Sequence, residues 1–257
     1  MQLQTLRTIV RKNSKTIINY IANYYIKRYD GKAYVGHIPR ICMFCSSTIN
    51  ITREHVLPRW VFEKSTEKKF ITNINELSQT YNKTTIPSCS ACNSILLNDL
   101  EKHINQLLSN HNLPNTFFTS QEIENIVRWL EIIDYKFQII NATRKFLTSK
   151  KGGFIPYLTD FPISVLDPNF DYSPSRVITE LRRSLKRITI KSKTQYINSL
   201  VVFKTSNSGL NFFHKMNNYV FLELPQKKVA LFYFYQRTFE RVENARDEAL
   251  AIIRKNY

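Results

Sequence analysis

The sequence predicts an α+β protein in which a module with two cysteine pairs lies between N-terminal helices and a C-terminal domain of helices plus an antiparallel sheet. All four cysteines of the chain fall into two Cys-x-x-Cys pairs. Apolar residues recur at helical spacing on both sides of these pairs, and four short strand-like runs come near the C-terminus. The two pairs are Cys42/Cys45 and Cys89/Cys92. The three predicted regions are 1–37, 38–111 and 112–257.

The N-terminal region has apolar residues spaced as on one side of a helix, with basic residues between them. This pattern extends from Leu3 to Tyr29 and ends before Asp30-Gly31. It predicts one or two amphipathic helices. The apolar positions are Leu6, Ile9, Val10, Ile17, Ile18, Ile21, Tyr24 and Tyr25.

The cysteine pairs have the spacing of zinc knuckles. Each pair supplies two sulfur atoms from one tight turn, and four thiolates suit tetrahedral zinc. Because four thiolates fill the coordination sphere, no position is left for water. We therefore expect Cys42, Cys45, Cys89 and Cys92 to bind a structural Zn2+, and hydrolysis would need a second site.

A candidate second site consists of Glu54 and His55, which lie between the pairs, and Asn93, which follows the second pair directly. A carboxylate and an amide oxygen can hold a hard cation such as Mg2+ or Mn2+, while a neutral imidazole deprotonates water. Closure of the zinc site would bring the three residues together. The alternative roles are a salt bridge from Glu54 to Arg53 or Arg59, a structural histidine, and a helix cap at Asn93.

The segment from about Ile41 to Glu101 resembles the HNH endonuclease family. The motifs that carry the resemblance are Cys42-x-x-Cys45, Thr52-Arg53-Glu54-His55-Val56-Leu57-Pro58-Arg59-Trp60 and Cys89-x-x-Cys92-Asn93. The resemblance implies a ββα-metal fold, a β-hairpin followed by a helix. It also implies that Glu54 and Asn93 are ligands of the catalytic divalent ion, that His55 is the general base, and that the products carry 5′ phosphates.

The sequence departs from the family pattern at two places. Glu54 stands where the family more often has Asp or His, and no clear Asn-Leu pair precedes the second knuckle to orient the imidazole. The candidates for that orienting role are Asn73, Asn75 and Asn82. Glu101, about two helical turns after Asn93, is a candidate for a further metal ligand.

The C-terminal region begins with two predicted helices. Thr119 and Glu122 form a capping box before a long helix, and Ser173-Pro174 starts a second helix. The second helix carries a basic cluster that is either a solvated face or a phosphate-binding stripe. The cluster consists of Arg182, Arg183, Lys186 and Arg187.

Four strand-like runs and a final helix complete the C-terminal region. Turn residues separate the runs, which predicts an antiparallel meander with the helix packed on it. The runs are Ser199 to Thr205, Leu210 to Met216, Tyr219 to Leu224 and Val229 to Tyr235, and the helix extends from about Phe239 to Arg254.

The chain is strongly basic, with 37 Lys and Arg against 20 Asp and Glu and a formal net charge of +17. Nucleic acid is the expected partner of such a chain. The leading hypothesis is a metal-dependent DNA endonuclease, of a kind that serves in anti-phage defence or a mobile element. The alternatives are a non-catalytic zinc module that binds DNA or RNA, and a nuclease subunit that cuts only with a partner protein such as an ATPase.

No stretch of the sequence reaches the length of about 20 apolar residues that a membrane-spanning helix needs. In the first 16 residues, apolar residues are interspersed with polar ones, and a continuous hydrophobic segment of the secretory type is absent. Reduced, metal-bound cysteines are typical of a reducing compartment. We therefore expect a cytoplasmic location.

Overall fold

A computed structural model of the chain has the predicted α+β architecture. It describes residues 3–29, 40–62, 65–71, 78–110, 118–143 and 174–256. The helices are α1 (Leu3–Tyr29), α2 (Arg59–Phe62), α3 (Asn98–Asn110), α4 (Ser120–Thr143), α5 (Pro174–Thr189) and α6 (Val242–Asn256). The strands are β1 (Ile51–His55), β2 (Lys69–Ile71), β3 (Ser78–Thr80), β4 (Thr85–Cys89), β5 (Leu200–Lys204), β6 (Asn211–Lys215), β7 (Tyr219–Leu224) and β8 (Val229–Phe234).

The N-terminal region forms one helix of 27 residues rather than two. Its apolar stripe is buried, and α1 packs mainly against α5 and also touches α4. The buried positions of the stripe are Leu6, Val10, Ile17 and Ile21. Because helical spacing alone predicts these positions, their burial confirms the amphipathic pattern.

The long helix α4 begins at the predicted capping box. The backbone amide of Thr119 donates to Glu122 Oε2 at 2.7 Å, and the backbone amide of Glu122 donates to Thr119 Oγ1 at 3.3 Å. The middle of α4 is buried on all sides, since residues 125–140 are all buried. Its Trp129 ring stacks on Trp60 of α2 with the centroids 5.6 Å apart. This helix is therefore the central element of the fold.

The C-terminal sheet has four antiparallel strands in the order β5-β8-β7-β6. The predicted strands are present, but only β6, β7 and β8 form the expected meander. Strand β5 pairs with β8, with Leu200 opposite Tyr233 and Lys204 opposite Val229. β8 is buried along its whole length, which fits a central strand flanked by α4 and α6. Ala245 and Ala249 of α6 pack on one face of this sheet.

Charged side chains of α4 are buried and paired with distant parts of the chain. Glu131 accepts hydrogen bonds from Lys193 at 2.8 Å and from Tyr233 Oη at 3.0 Å. Asp134 pairs with Arg187 and lies 3.0 Å from His214 Nε2. Burial opposes ionisation of Asp134, but Arg187 and His214 outweigh it and lower its pKa. Arg187, which the sequence placed on an exposed basic face, is therefore a buried structural residue.

Among the helices that the structure describes, none combines the length and the apolar character needed to cross a membrane.

Candidate functional site

The four cysteine sulfurs converge on one point. The Sγ atoms of Cys42, Cys45, Cys89 and Cys92 all lie within 4.8 Å of one another. The first pair sits in a turn, and the second pair joins the end of β4 to the helix that follows. Cys89 lies opposite Ile51 in the ladder, so the cluster is at one end of the β1–β4 strand pair.

The donor set fits a structural Zn2+. Sulfurs bound to one tetrahedral zinc at about 2.3 Å are about 3.8 Å apart, and Cys45 Sγ and Cys89 Sγ are 3.5 Å apart. The backbone amides of Phe44 and Cys92 donate to Cys42 Sγ and Cys89 Sγ at 3.5 and 3.4 Å. Such amides stabilise thiolates, the form that binds metal.

Neighbouring thiols and burial shift the pKa values of three of these cysteines. A hydrogen bond from Cys92 lowers the pKa of Cys42 to about 4, and that same hydrogen bond raises the pKa of Cys92 far above its usual range. Burial raises the pKa of Cys45 to about 11. A bound zinc would favour the thiolate form of all four cysteines.

A two-stranded antiparallel sheet and a helix carry the second candidate site. β1 and β4 pair antiparallel, with Glu54 opposite Ile86 and His55 opposite Thr85. The chain then enters a π-helical turn, Cys92–Leu97, which continues as α3. Between β1 and β4 the chain also forms α2, β2 and β3. Glu54 and His55 lie at the end of β1.

His55 is oriented by an asparagine. Its Nε2 lies 3.3 Å from Asn82 Oδ1, and its ring contacts Phe62 with the centroids 5.8 Å apart. Because an amide oxygen only accepts hydrogen bonds, Nε2 carries the proton and Nδ1 keeps its lone pair. Of the three asparagines proposed for this role, Asn73 and Asn75 lie outside the described residues.

The environment of His55 favours the neutral ring. Burial lowers the pKa of His55 below its ordinary value, and the positive charge of Arg59 lowers it further. The hydrogen bond to Asn82 and the charge of Glu54 oppose this shift without cancelling it. A neutral imidazole with an unprotonated Nδ1 can accept a proton near neutral pH.

Glu54 points into the protein. Its carboxylate pairs with Lys136 of α4, and the two side chains are 7% and 1% exposed. Lys136 Nζ also donates to the carbonyl oxygen of His55 at 2.9 Å and lies 3.4 Å from Glu101 Oε1. The ionic partner of Glu54 is therefore Lys136 rather than Arg53 or Arg59. Burial raises the pKa of Glu101 to about 7, although the charge of Lys136 lowers it.

Asn93 bridges the helix to β1. Its Nδ2 donates to Thr52 Oγ1 at 3.0 Å and lies 3.4 Å from the carbonyl oxygen of Arg53. Asn93 thus lies inside the π-helical turn and binds the strand beside Glu54 instead of capping the helix. With its nitrogen held by β1, the amide oxygen is the atom that can face a ligand.

No family model, curated protein or solved structure matches this chain.

The sequence reasoning missed Lys136. The residue lies in the run from Ile132 to Ile140, where Asp134 and Lys136 interrupt otherwise largely apolar positions. A charged residue within such a run is rarely left unpaired when it is buried. That interruption was the signal for a buried ionic contact, but the sequence alone does not identify Glu54 as its partner.

Proposed function

We propose that the protein is an HNH-type, metal-dependent endonuclease that hydrolyses DNA phosphodiester bonds. The observation that carries the proposal is the state of His55, a neutral ring oriented by Asn82 at the end of β1 that lies away from the four-cysteine cluster. A base in this state is what water activation requires near neutral pH.

In the proposed reaction, His55 Nδ1 takes a proton from water as the water oxygen attacks phosphorus. The bond from phosphorus to the 3′ oxygen then breaks, and the leaving 3′ oxygen takes a proton from solvent water, which gives a 5′ phosphate and a 3′ hydroxyl. Asn82 keeps the other ring nitrogen protonated and fixes the ring plane. Lys136 binds the side-chain carboxylate of Glu54 and the backbone carbonyl oxygen of His55.

Glu54 and Asn93 are the proposed ligands of a catalytic Mg2+ or Mn2+. Their carboxylate and amide oxygens are hard donors of the type these ions prefer. When bound, such an ion supplies charge stabilisation for the phosphate oxygens. Because Lys136 binds Oε1 of Glu54, we assign the ligand role to the second carboxylate oxygen.

The overall charge supports a nucleic-acid substrate. A formal net charge of +17 on 257 residues attracts a polyanion at long range. We further propose that the four-cysteine cluster binds a structural zinc ion that takes no part in hydrolysis. Hydrolysis would occur at the site at the end of β1.

The test is cleavage of supercoiled plasmid DNA by zinc-loaded protein in Mg2+, in Mn2+ and in EDTA. The matched variant is His55→Ala, with zinc content and thermal unfolding measured for both proteins. We expect the wild type to nick or linearise the plasmid with either ion, and we expect no cleavage in EDTA or by the variant. Equal cleavage by wild type and folded His55→Ala would contradict the assigned base.

A second candidate is a non-catalytic zinc module that binds DNA or RNA. The observation that favours it is the structural engagement of two proposed ligands, since Glu54 pairs with buried Lys136 and Asn93 binds β1. Under this alternative, wild type and His55→Ala bind nucleic acid with equal affinity. Neither protein would then cut in any metal.

A further inference from the structure

Helices α1 and α5 lie side by side although about 145 residues separate them in the chain. Apolar residues of both helices are buried in the common core, including Val10 and Ile17 of α1 and Leu181 and Leu185 of α5. A hydrogen bond fixes one end of the pair, since Arg7 Nη1 donates to the carbonyl oxygen of Lys191 at 2.9 Å. The two outer faces therefore belong to one side-by-side pair of helices.

The outer faces of this pair are almost free of acidic residues. The sequence of α1 contains no Asp or Glu, and that of α5 contains only Glu180. Glu180 is neutralised within its own helix, 2.7 Å from Arg183 and 3.1 Å from Arg176. We define the α1–α5 face by six of the exposed cations of the two helices, which are Arg11, Lys12, Lys15, Arg182, Arg183 and Lys186. Arg176 of α5 is also exposed and pairs with Glu180.

The face adjoins the zinc module, by which we mean the four-cysteine cluster together with β1, β4 and α3. Ser46, which directly follows the first cysteine pair, donates from Oγ to Asn13 Oδ1 of α1 at 2.6 Å. α1 also touches the π-helical turn that carries Asn93. A polyanion bound along α1 would therefore lie next to the module that holds the candidate site.

A different helix serves as a comparison. Helix α6 also exposes three cations, Arg246, Arg254 and Lys255. Its sequence contains three acids as well, Glu243, Asp247 and Glu248. Because charges of both signs lie on α6, its net electrostatic field is weak. An exposed cluster of charges of one sign produces a stronger field.

We propose that the α1–α5 face binds the phosphate backbone of double-stranded DNA and holds the duplex beside the zinc module. The identification of the polyanion as DNA rests on the proposed function. The inference adds the surface that binds the DNA. Exposed arginine and lysine side chains bind phosphates by displacing condensed counterions, so binding through them depends steeply on salt. The face thereby contributes affinity without sequence readout.

The experiment compares three triple variants, each of which loses the same charge. They are Arg11→Gln/Lys12→Gln/Lys15→Gln, Arg182→Gln/Arg183→Gln/Lys186→Gln and, as the control, Arg246→Gln/Arg254→Gln/Lys255→Gln. All carry His55→Ala, and binding to a fluorescent DNA duplex is measured by anisotropy in EDTA at several NaCl concentrations. EDTA is added only after dilution of zinc-loaded protein, and zinc retention and thermal unfolding are recorded for each variant.

We expect the α1 and α5 variants to bind about tenfold or more weakly at moderate salt, with the slope of log K against log salt reduced by about 2 to 3. The α6 control should stay within about twofold of its parent. Equal losses in all three variants would show that overall charge alone drives binding and would overturn the proposal. Unchanged binding in the α1 and α5 variants would overturn it as well.

The outcome is separable from that of the proposed function. Because the binding assay contains no divalent ion and no intact base, it does not depend on cleavage. If the α1 and α5 variants lose DNA binding and the wild type does not cleave the plasmid, the result supports DNA binding by the α1–α5 face and contradicts the proposed nuclease activity. If the wild type cleaves the plasmid and those variants bind DNA as their parent does, the result supports the nuclease activity and contradicts DNA binding by the α1–α5 face.

Discussion

Lys136 binds the carboxylate of Glu54 from the buried centre of α4, and the same ammonium group donates to the carbonyl oxygen of the next residue, His55. One side chain therefore holds both halves of the dipeptide that the sequence singled out. The contact connects the hairpin to a helix 81 positions further along the chain. It makes the position of His55 depend on the packing of α4.

Removing the ammonium group should destabilise the fold strongly. In Lys136→Met, Glu54 and Glu101 would remain buried without their common partner, and breaking a buried ion pair costs about 3 to 5 kcal/mol. Urea unfolding followed by circular dichroism measures the change. Lys102→Met, at an exposed position of α3, is the control and should change the free energy of unfolding by less than about 0.5 kcal/mol.

The double variant Glu54→Gln/Lys136→Met identifies the source of that loss. Because it removes the charge that Lys136→Met leaves buried, it should be more stable than Lys136→Met alone. If the double variant loses the sum of the two single losses, Lys136 does not act through Glu54.

Stability should also depend on pH through Glu101. Burial raises the pKa of Glu101 to about 7 in the folded protein, whereas the ordinary value is 4.5. A carboxyl with a raised pKa stabilises the fold below its unfolded pKa, and this contribution is lost as the pH rises through about 7. Between pH 5.5 and pH 8, the wild type should lose about 1 to 2 kcal/mol relative to Glu101→Gln. Parallel pH profiles of the two proteins would rule out this role.

The cysteine cluster should hold one zinc per chain. We expect Cys92→Ser to lose zinc, as measured by elemental analysis, and to melt well below the wild type, because three remaining thiolates no longer close the site. Ser90→Ala changes a neighbouring residue of the same turn that supplies no sulfur. That variant should keep its zinc, and full zinc content in Cys92→Ser would contradict the four-cysteine site.

Asn82 should matter for rate more than for stability. In Asn82→Ala, the imidazole of His55 loses the acceptor that fixes its tautomer, so kcat/KM for DNA cleavage should fall about tenfold to a hundredfold. Asn244→Ala, at an exposed position of α6, is the matched control. An unchanged rate in folded Asn82→Ala would show that the hydrogen bond does not position the base.

Much of the fold was predictable because its signals are local. The capping box of Thr119 and Glu122, proline at the start of α5 and turn residues between the strands each act within a few positions. The pairing of β5 with β8 was not predictable in this way. It depends on which strand completes the sheet over α4, and turn chemistry at the ends of β5 does not specify that choice.

In the candidate site, too, the features with local sequence signals were predictable and those set by tertiary packing were not. The cysteine spacing pointed directly to a cluster, and the cluster is present. The contact of Asn82 with His55 and the contact of Lys136 with Glu54 arise from tertiary packing across 27 and 82 positions. A helical pattern also cannot tell a solvated charge from a paired one, which is why Arg187 was placed on the outside.

The charges buried in α4 limit how far the chain can be divided. A fragment that ends after α3 would contain every cysteine and the whole hairpin, but it would lack Lys136 and the Tyr135 hydroxyl that binds the carbonyl oxygen of Met43. The remainder would keep Asp134 and its partners but lose the stacking of Trp129 on Trp60. The two parts are therefore interdependent, and an excised cysteine module would not be a self-sufficient unit for transfer to another protein.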